Sequence, residues 1–176
     1  PASHARGHVR VMRPAMVAAL VCAAALAGCA SGPQPTAATP VLELTLARPD
    51  GTPVELARLR QKPMLLFLFA TYDTSSQFAL APLSRFLEQE SGVQVIGIAL
   101  QPDAKSFLKL YQHSLDPPFE LFYDPGNTLL QGQTALGRVR AVPSFVAVDQ
   151  EGHIRRQHTG AATADELQAL AESALD

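Results

Sequence analysis

An unbroken apolar run, Met-Leu-Leu-Phe-Leu-Phe-Ala over residues 64–70, limits what this chain can become more than any other stretch. It is entered through Lys62-Pro63 and left through Thr71-Tyr72-Asp73. A strand with one wet face would alternate apolar and polar residues, so a short continuous run reads as a strand buried on both faces. Directly after it, Thr74-Ser75-Ser76-Gln77 has the Ser/Thr-x-x-Gln spacing of a capping box, with Thr74 expected to accept from the Gln77 amide and Gln77 to reach back. A buried strand therefore feeds straight into a helix N-terminus, the junction where α/β folds commonly place their chemistry.

The flanking sequence extends this pattern. Residues 41–46 alternate, Pro49-Asp50-Gly51 turns the chain and residues 53–56 return, which predicts an N-terminal β-hairpin. A helix is expected over 75–90, with Phe78, Leu83, Phe86 and Leu87 on its apolar stripe, a kink at Pro82 and a stop at Ser91-Gly92. Residues 93–100 form a second buried strand. Residues 103–114 form a helix with Phe107, Leu108 and Tyr111 on one face, broken by Asp116-Pro117-Pro118. A short strand over 119–123, a turn over 124–127 and a helix over 128–136 follow. Strands over 144–148 and 153–159 flank the turn Asp149-Gln150-Glu151-Gly152, and Thr163-Ala164-Asp165-Glu166 is a capping box opening a last helix through Leu175. Helices alternating with apolar strands predict an α/β domain: a central mixed sheet with helices on both faces, a parallel β-α-β half and a closing antiparallel hairpin.

Residues 1–29 read as an N-terminal extension and a lipoprotein-type signal peptide. Arg6, Arg10 and Arg13 give a positive start, and residues 15–26 an Ala-rich apolar stretch too short to span a bilayer. The sequence opens on Pro1, and Met12 or Met16 is the expected initiator. Leu26-Ala27-Gly28-Cys29 resembles a bacterial lipobox, which implies that Cys29 becomes the lipidated first residue of the mature protein; cleavage of an Ala-x-Ala type beside an incidental cysteine is the alternative. Ala30 after Cys29 implies the outer membrane in a Gram-negative envelope. Residues 30–40, with Pro33, Pro35 and Pro40 among small polar residues, read as a flexible tether, and 41–176 as the folded domain. A net charge of −2 without a long basic block argues against a nucleic-acid partner. The two cysteines are Cys22, inside the apolar stretch, and Cys29, so the folded domain has no thiol and forms neither an internal disulfide nor a redox pair.

The segment Phe69-Ala70-Thr71-Tyr72-Asp73-Thr74-Ser75-Ser76, with Lys62-Pro63 before it and Val139-Arg140-Ala141-Val142-Pro143-Ser144-Phe145 later, resembles the membrane-anchored thioredoxin-like proteins of the TlpA/ResA type. The resemblance covers residues 41–175. It implies a thioredoxin-like fold and, through the family's Trp-Ala-Thr-Trp-Cys-x-x-Cys segment, thiol–disulfide exchange. That chemistry needs a thiolate at a helix N-terminus and a resolving thiol one turn on. Here Asp73 and Ser76 stand where the family has cysteines. Pro82 falls one residue later than in the family, which leaves a second register that pairs Asp73 with Gln77. Neither register supplies a thiol. Asp73 keeps a negative charge but does not attack a disulfide, Ser76 has no base placed by the sequence, and residues 73–76 read as helix-capping residues.

The resemblance also implies a cis-proline at Pro143, with the backbone of Val142 free to pair with an extended peptide. Tyr72, Asp73, Val142 and Pro143 are thus the expected peptide-binding residues. Arg138 and Arg140 read as a solvated loop flanking that groove. His113, His153 and His158 lack metal-ligand spacing, and no metal or cofactor is expected. No histidine is placed for serine hydrolysis at Ser75 or Ser76, and no Gly-rich phosphate loop is present. The expected function is that of a periplasm-facing envelope lipoprotein. Its thioredoxin-like domain would lack catalysis and bind an extended segment of another envelope protein or act as a structural module. Family resemblance alone suggests the alternative, a thiol–disulfide oxidoreductase or peroxiredoxin-like antioxidant, and the missing thiols weigh against it.

Overall fold

The structure, a computed structural model, describes residues 40–89 and 92–175. The expectations for the signal segment, for Cys22 and Cys29 and for the tether before Pro40 lie outside the described residues, whereas the helix expected through Glu90 ends within them, at Glu88 with Gln89 as its cap. Among the described residues no helix is long and apolar enough to cross a membrane.

The run at 64–70 becomes the centre of a mixed sheet. In spatial order the strands are β2 (Pro53–Glu55), β1 (Thr45–Ala47), β5 (Glu120–Tyr123), β4 (Gln94–Ala99), β3 (Met64–Phe69), β6 (Ser144–Val148) and β7 (Ile154–Thr159). β3, β4 and β5 run parallel, β6 runs antiparallel to β3 with Leu68 opposite Ser144, and β6 and β7 form the antiparallel hairpin. Every residue of β3 is buried because both of its faces are covered. Leu65, Phe67 and Phe69 join a core with α2 (Leu80–Glu88), α3 (Ala104–Leu115) and α5 (Ala164–Glu172). Phe67 stacks on Phe69 and on Phe145 at 5.0 and 5.4 Å between ring centroids, and Tyr111 of α3 lies 5.1 Å from Phe69. Met64, Leu66 and Leu68 pack on the other side against Leu42, Leu44, a 3₁₀ turn at Leu56–Leu59 and the one-turn helix α4 (Thr128–Gln131). Each such side chain contributes about 1.5–3 kcal/mol by leaving water.

The α/β class, the mixed sheet and the N-terminal hairpin follow the sequence reading; several element bounds do not. Of the strand expected over 41–46 only Thr45 and Leu46 fall in β1, which adds Ala47, while Leu42, Leu44 and Leu46 keep the expected inward face. The segment before β1 is tied elsewhere, through a bridge from Val41 to His153 and a 2.8 Å bond from Leu42 N–H to the Gly152 carbonyl. The helix expected over 75–90 is two helices, α1 (Thr74–Phe78) and α2, parted at Ala79. Pro82 has no N–H for the Phe78 carbonyl, and its ring crowds that group, so the break falls one turn upstream. Phe78 consequently leaves the expected stripe and is 76% exposed, while Leu83 and Phe86 keep the core. Phe107 is likewise exposed beside the buried Leu108 and Tyr111. The helix expected over 128–136 stops at Gln131: Gly132 takes a φ of +73°, and a β-carbon there would lie 3.2 Å from the Arg138 nitrogen. The last helix ends at Glu172, where Ser173 Oγ donates to the Leu170 carbonyl at 2.6 Å beside the Ser173 N–H, which reaches the same oxygen at 3.2 Å.

Candidate functional site

Beyond Phe69 the chain leaves the sheet at Ala70, crosses Thr71 and Tyr72, and enters α1. The cap of α1 is Asp73 rather than the expected Thr74. Asp73 is extended (φ −83°, ψ 119°), and its Oδ2 accepts from the Ser76 N–H at 2.6 Å and the Ser76 hydroxyl at 2.7 Å. A carboxylate is a stronger acceptor than the neighbouring hydroxyl, so the cap forms one residue earlier. Gln77 does not return to Thr74; its Nε2 donates to the Thr71 carbonyl at 3.0 Å. Ser76 is fully buried and its Oγ also accepts from the Ala70 N–H at 3.4 Å. Asp73 and Ser76 are therefore a closed, hydrogen-bonded pair one helical turn apart, whereas Gln77 of the alternative register faces solvent.

Gln101 supports this corner and was not singled out by the sequence. It is buried, its Oε1 accepts from the Thr71 N–H at 2.5 Å, and its Nε2 has no partner among the described residues. The available signal was a polar residue directly after the apolar run at 93–100.

The second half of the expected site emerges at the same end of the sheet, since Leu68 near the end of β3 faces Ser144 at the start of β6. The Val142–Pro143 bond is cis. Pro143 is buried and its carbonyl accepts from Gly160 N–H at 2.8 Å. Val142 is half-buried, and among the described residues neither its N–H nor its carbonyl has a hydrogen-bond partner. Ser144 Oγ braces the loop by donating to the Ala141 carbonyl at 2.8 Å. Tyr72 stands open at 73% exposure.

The chemistry left to this corner is narrow. No thiol is present in the described residues. The Ser76 hydroxyl is sealed from solvent and donates to a carboxylate rather than to an imidazole, so it is not set up as a nucleophile. Asp149, Glu151 and His153, at the opposite end of the sheet, bring ligand-type atoms within 4.8 Å of one another. No ligand spacing along the chain marks such a group; the β6–β7 turn assembles it. Asp149 is already engaged there: it accepts from the His153 N–H at 2.7 Å and approaches the His153 ring at 3.1 Å and the Arg155 guanidinium at 3.8 Å. Burial acts to raise the Asp149 carboxyl, but hydrogen bonds from His153 and Gly152 outweigh it and hold the group below its ordinary value. The cluster is a turn lock.

No family model and no curated protein matches the chain. Solved structures do. A thioredoxin-family thiol:disulfide interchange protein from Chlorobium tepidum superposes with a TM-score of 0.63 at 18% identity, covering 78% of this chain and 97% of that one. A putative electron transfer protein from Aquifex aeolicus gives 0.64 at 15% identity, over 77% and 97% of the two chains. A secreted disulfide oxidoreductase of Mycobacterium tuberculosis gives 0.58 at 21% identity, over 74% and 95%. At these identities the likeness establishes the fold, which is thioredoxin-like.

Proposed function

We propose that this chain is an envelope-facing lipoprotein in which the scaffold of the thiol:disulfide interchange proteins persists without thiol chemistry, and that it holds an extended segment of another envelope protein. The observation that carries this reading is the Asp73–Ser76 pair, a buried hydroxyl bonded to its capping carboxylate, at residues that the resemblance to the TlpA/ResA type aligns with that family's two cysteines. The pair stabilises the helix start but neither transfers electrons nor attacks a carbonyl. What this end of the sheet still offers is an unpaired backbone at Val142 and, at the same end, the exposed ring of Tyr72, the elements of strand addition. The periplasm-facing location rests on the lipobox resemblance at Cys29, and the Mycobacterium tuberculosis neighbour is itself a secreted protein.

A photo-crosslinking residue placed at Tyr72 in the full chain should give adducts with envelope proteins in intact cells, and the same residue at the exposed Lys109 should not. Insulin reduction should proceed no faster than with the added reductant alone. Equal labelling at both positions, or turnover above the reductant, overturns the reading.

A further inference from the structure

Next to the unpaired Val142 lies a pocket of about 200 Å³. That is below the roughly 300 Å³ where pockets for whole small molecules begin, and suits one side chain. Leu68, Val139 and Val146 give it apolar walls, while Arg138 and Arg140 lie on its border and Gln157 and Thr159 close it from β7. None of the lining side chains is acidic. Arg138 spends its Nε on the Leu130 carbonyl at 3.0 Å, and Arg140 makes no hydrogen bond or ion pair among the described residues. Both arginines therefore lack a carboxylate partner. Two arginines without a carboxylate partner, lining a pocket with apolar walls, complement a group with an aliphatic stem and an anionic tip.

We infer that this pocket reads an acidic side chain, that of a glutamate foremost, on the extended segment held at Val142. The inference rests on the peptide-holding role proposed above and adds its sequence preference. Residues 138–141 and 144 line the pocket and bracket Val142–Pro143, so a strand paired at Val142 runs alongside it. In such a strand alternate side chains point to one face, which lets the backbone supply affinity and the pocket supply choice. The aliphatic stem of a glutamate fills the apolar part, and its carboxylate meets the two guanidiniums at the border.

The test uses the purified full-length chain and fluorescein-labelled nine-residue peptides of Val, Thr and Ser with one central Glu, Gln, Leu or Lys, read by fluorescence anisotropy. The Glu peptide should bind at least about tenfold tighter than the Gln peptide, the scale of a hydrogen bond to a charged group. Arg140→Ala, which removes no internal bond, should reduce that ratio to about twofold or less, and the double variant Arg138→Glu with Arg140→Glu should favour the Lys peptide. Equal binding of the Glu and Gln peptides, or a preference that survives Arg140→Ala, overturns the inference and leaves the groove intact. Failure of every peptide to bind removes the groove as well. Binding to phosphatidylglycerol vesicles that is lost in Arg140→Ala, without a Glu preference among peptides, would assign the arginines to a membrane surface instead and overturn the inference too.

Discussion

The two ends of the β3–β6 ribbon use the same device in opposite surroundings. At one end Asp73 receives the Ser76 N–H at 2.6 Å; at the other Asp149 receives the His153 N–H at 2.7 Å. Both carboxylates close a local turn of chain. At the Asp149 end His153 and Arg155 face the carboxylate, and Arg60 donates to the Glu151 and Leu42 carbonyls at 2.8 Å each, with its Nε left unpartnered among the described residues. At the Asp73 end groups stay open, with Tyr72 and Phe78 in solvent, Val142 without a backbone partner and Arg140 without an acid among the described residues. An aspartate at a turn is thus a structural fixture of this fold at either end. What separates the end proposed to hold a peptide is the unpaired main chain at Val142 and the arginine without an acid, not the carboxylate.

The comparison can be broken most severely at what the ends share. Phe67→Ala removes the ring between Phe69 and Phe145 and should cost about 3–5 kcal/mol in urea unfolding, loosening both ends together. Cutting each end separately should show their inequality. Asp149→Ala should cost about 2–3 kcal/mol, since it leaves the His153 N–H and ring unpaired. Asp73→Ala should cost about 1–2 kcal/mol, the scale of a lost cap. Acid sharpens the contrast. The Asp149 carboxyl is held below its ordinary 3.8, so its contribution is complete above about pH 4 and is lost as pH falls through the lowered value. Asp149→Asn should accordingly flatten the fall in stability below about pH 4. Replacing the other pair, as Asp73→Cys with Ser76→Cys, should cost about 1 kcal/mol in the reduced state. Mass spectrometry should find an intramolecular disulfide in that variant, and insulin reduction should rise above the reductant alone; two thiols that never oxidise would show that the corner lacks exchange geometry.

Much of the architecture was legible in residues 64–70, because a continuous apolar run has few places other than the middle of a covered sheet. The β6–β7 hairpin and the Thr163–Glu166 capping box were legible for the same local reason: their signals sit within a few residues of their partners. The cap at Asp73 was misplaced by one residue, since the Ser/Thr-x-x-Gln pattern and the stronger carboxylate acceptor compete and only the backbone angle at Asp73 decides. Phe78 and Phe107 carried helical spacing but no sign that their helices turn them outward. Gln101 and the Arg138–Arg140 pocket depend on residues brought together by the sheet, from just beyond β3 and β4 in the first case and from β3, β6 and β7 in the second, which no spacing along the chain reveals.

The account turns on an unpaired amide at one end of the ribbon and a paired amide at the other, and amide hydrogen exchange followed by NMR measures both in one experiment. In the free protein the Val142 amide should exchange at nearly the rate of an unstructured chain, while the His153 amide, bonded to Asp149, should be protected. Saturation with the glutamate-bearing peptide should slow Val142 at least about tenfold and leave His153 unchanged, as one new backbone hydrogen bond requires. A Val142 amide already as protected as His153 in the free protein, or one that exchanges as fast in the saturated complex, would contradict strand addition at this end of the sheet.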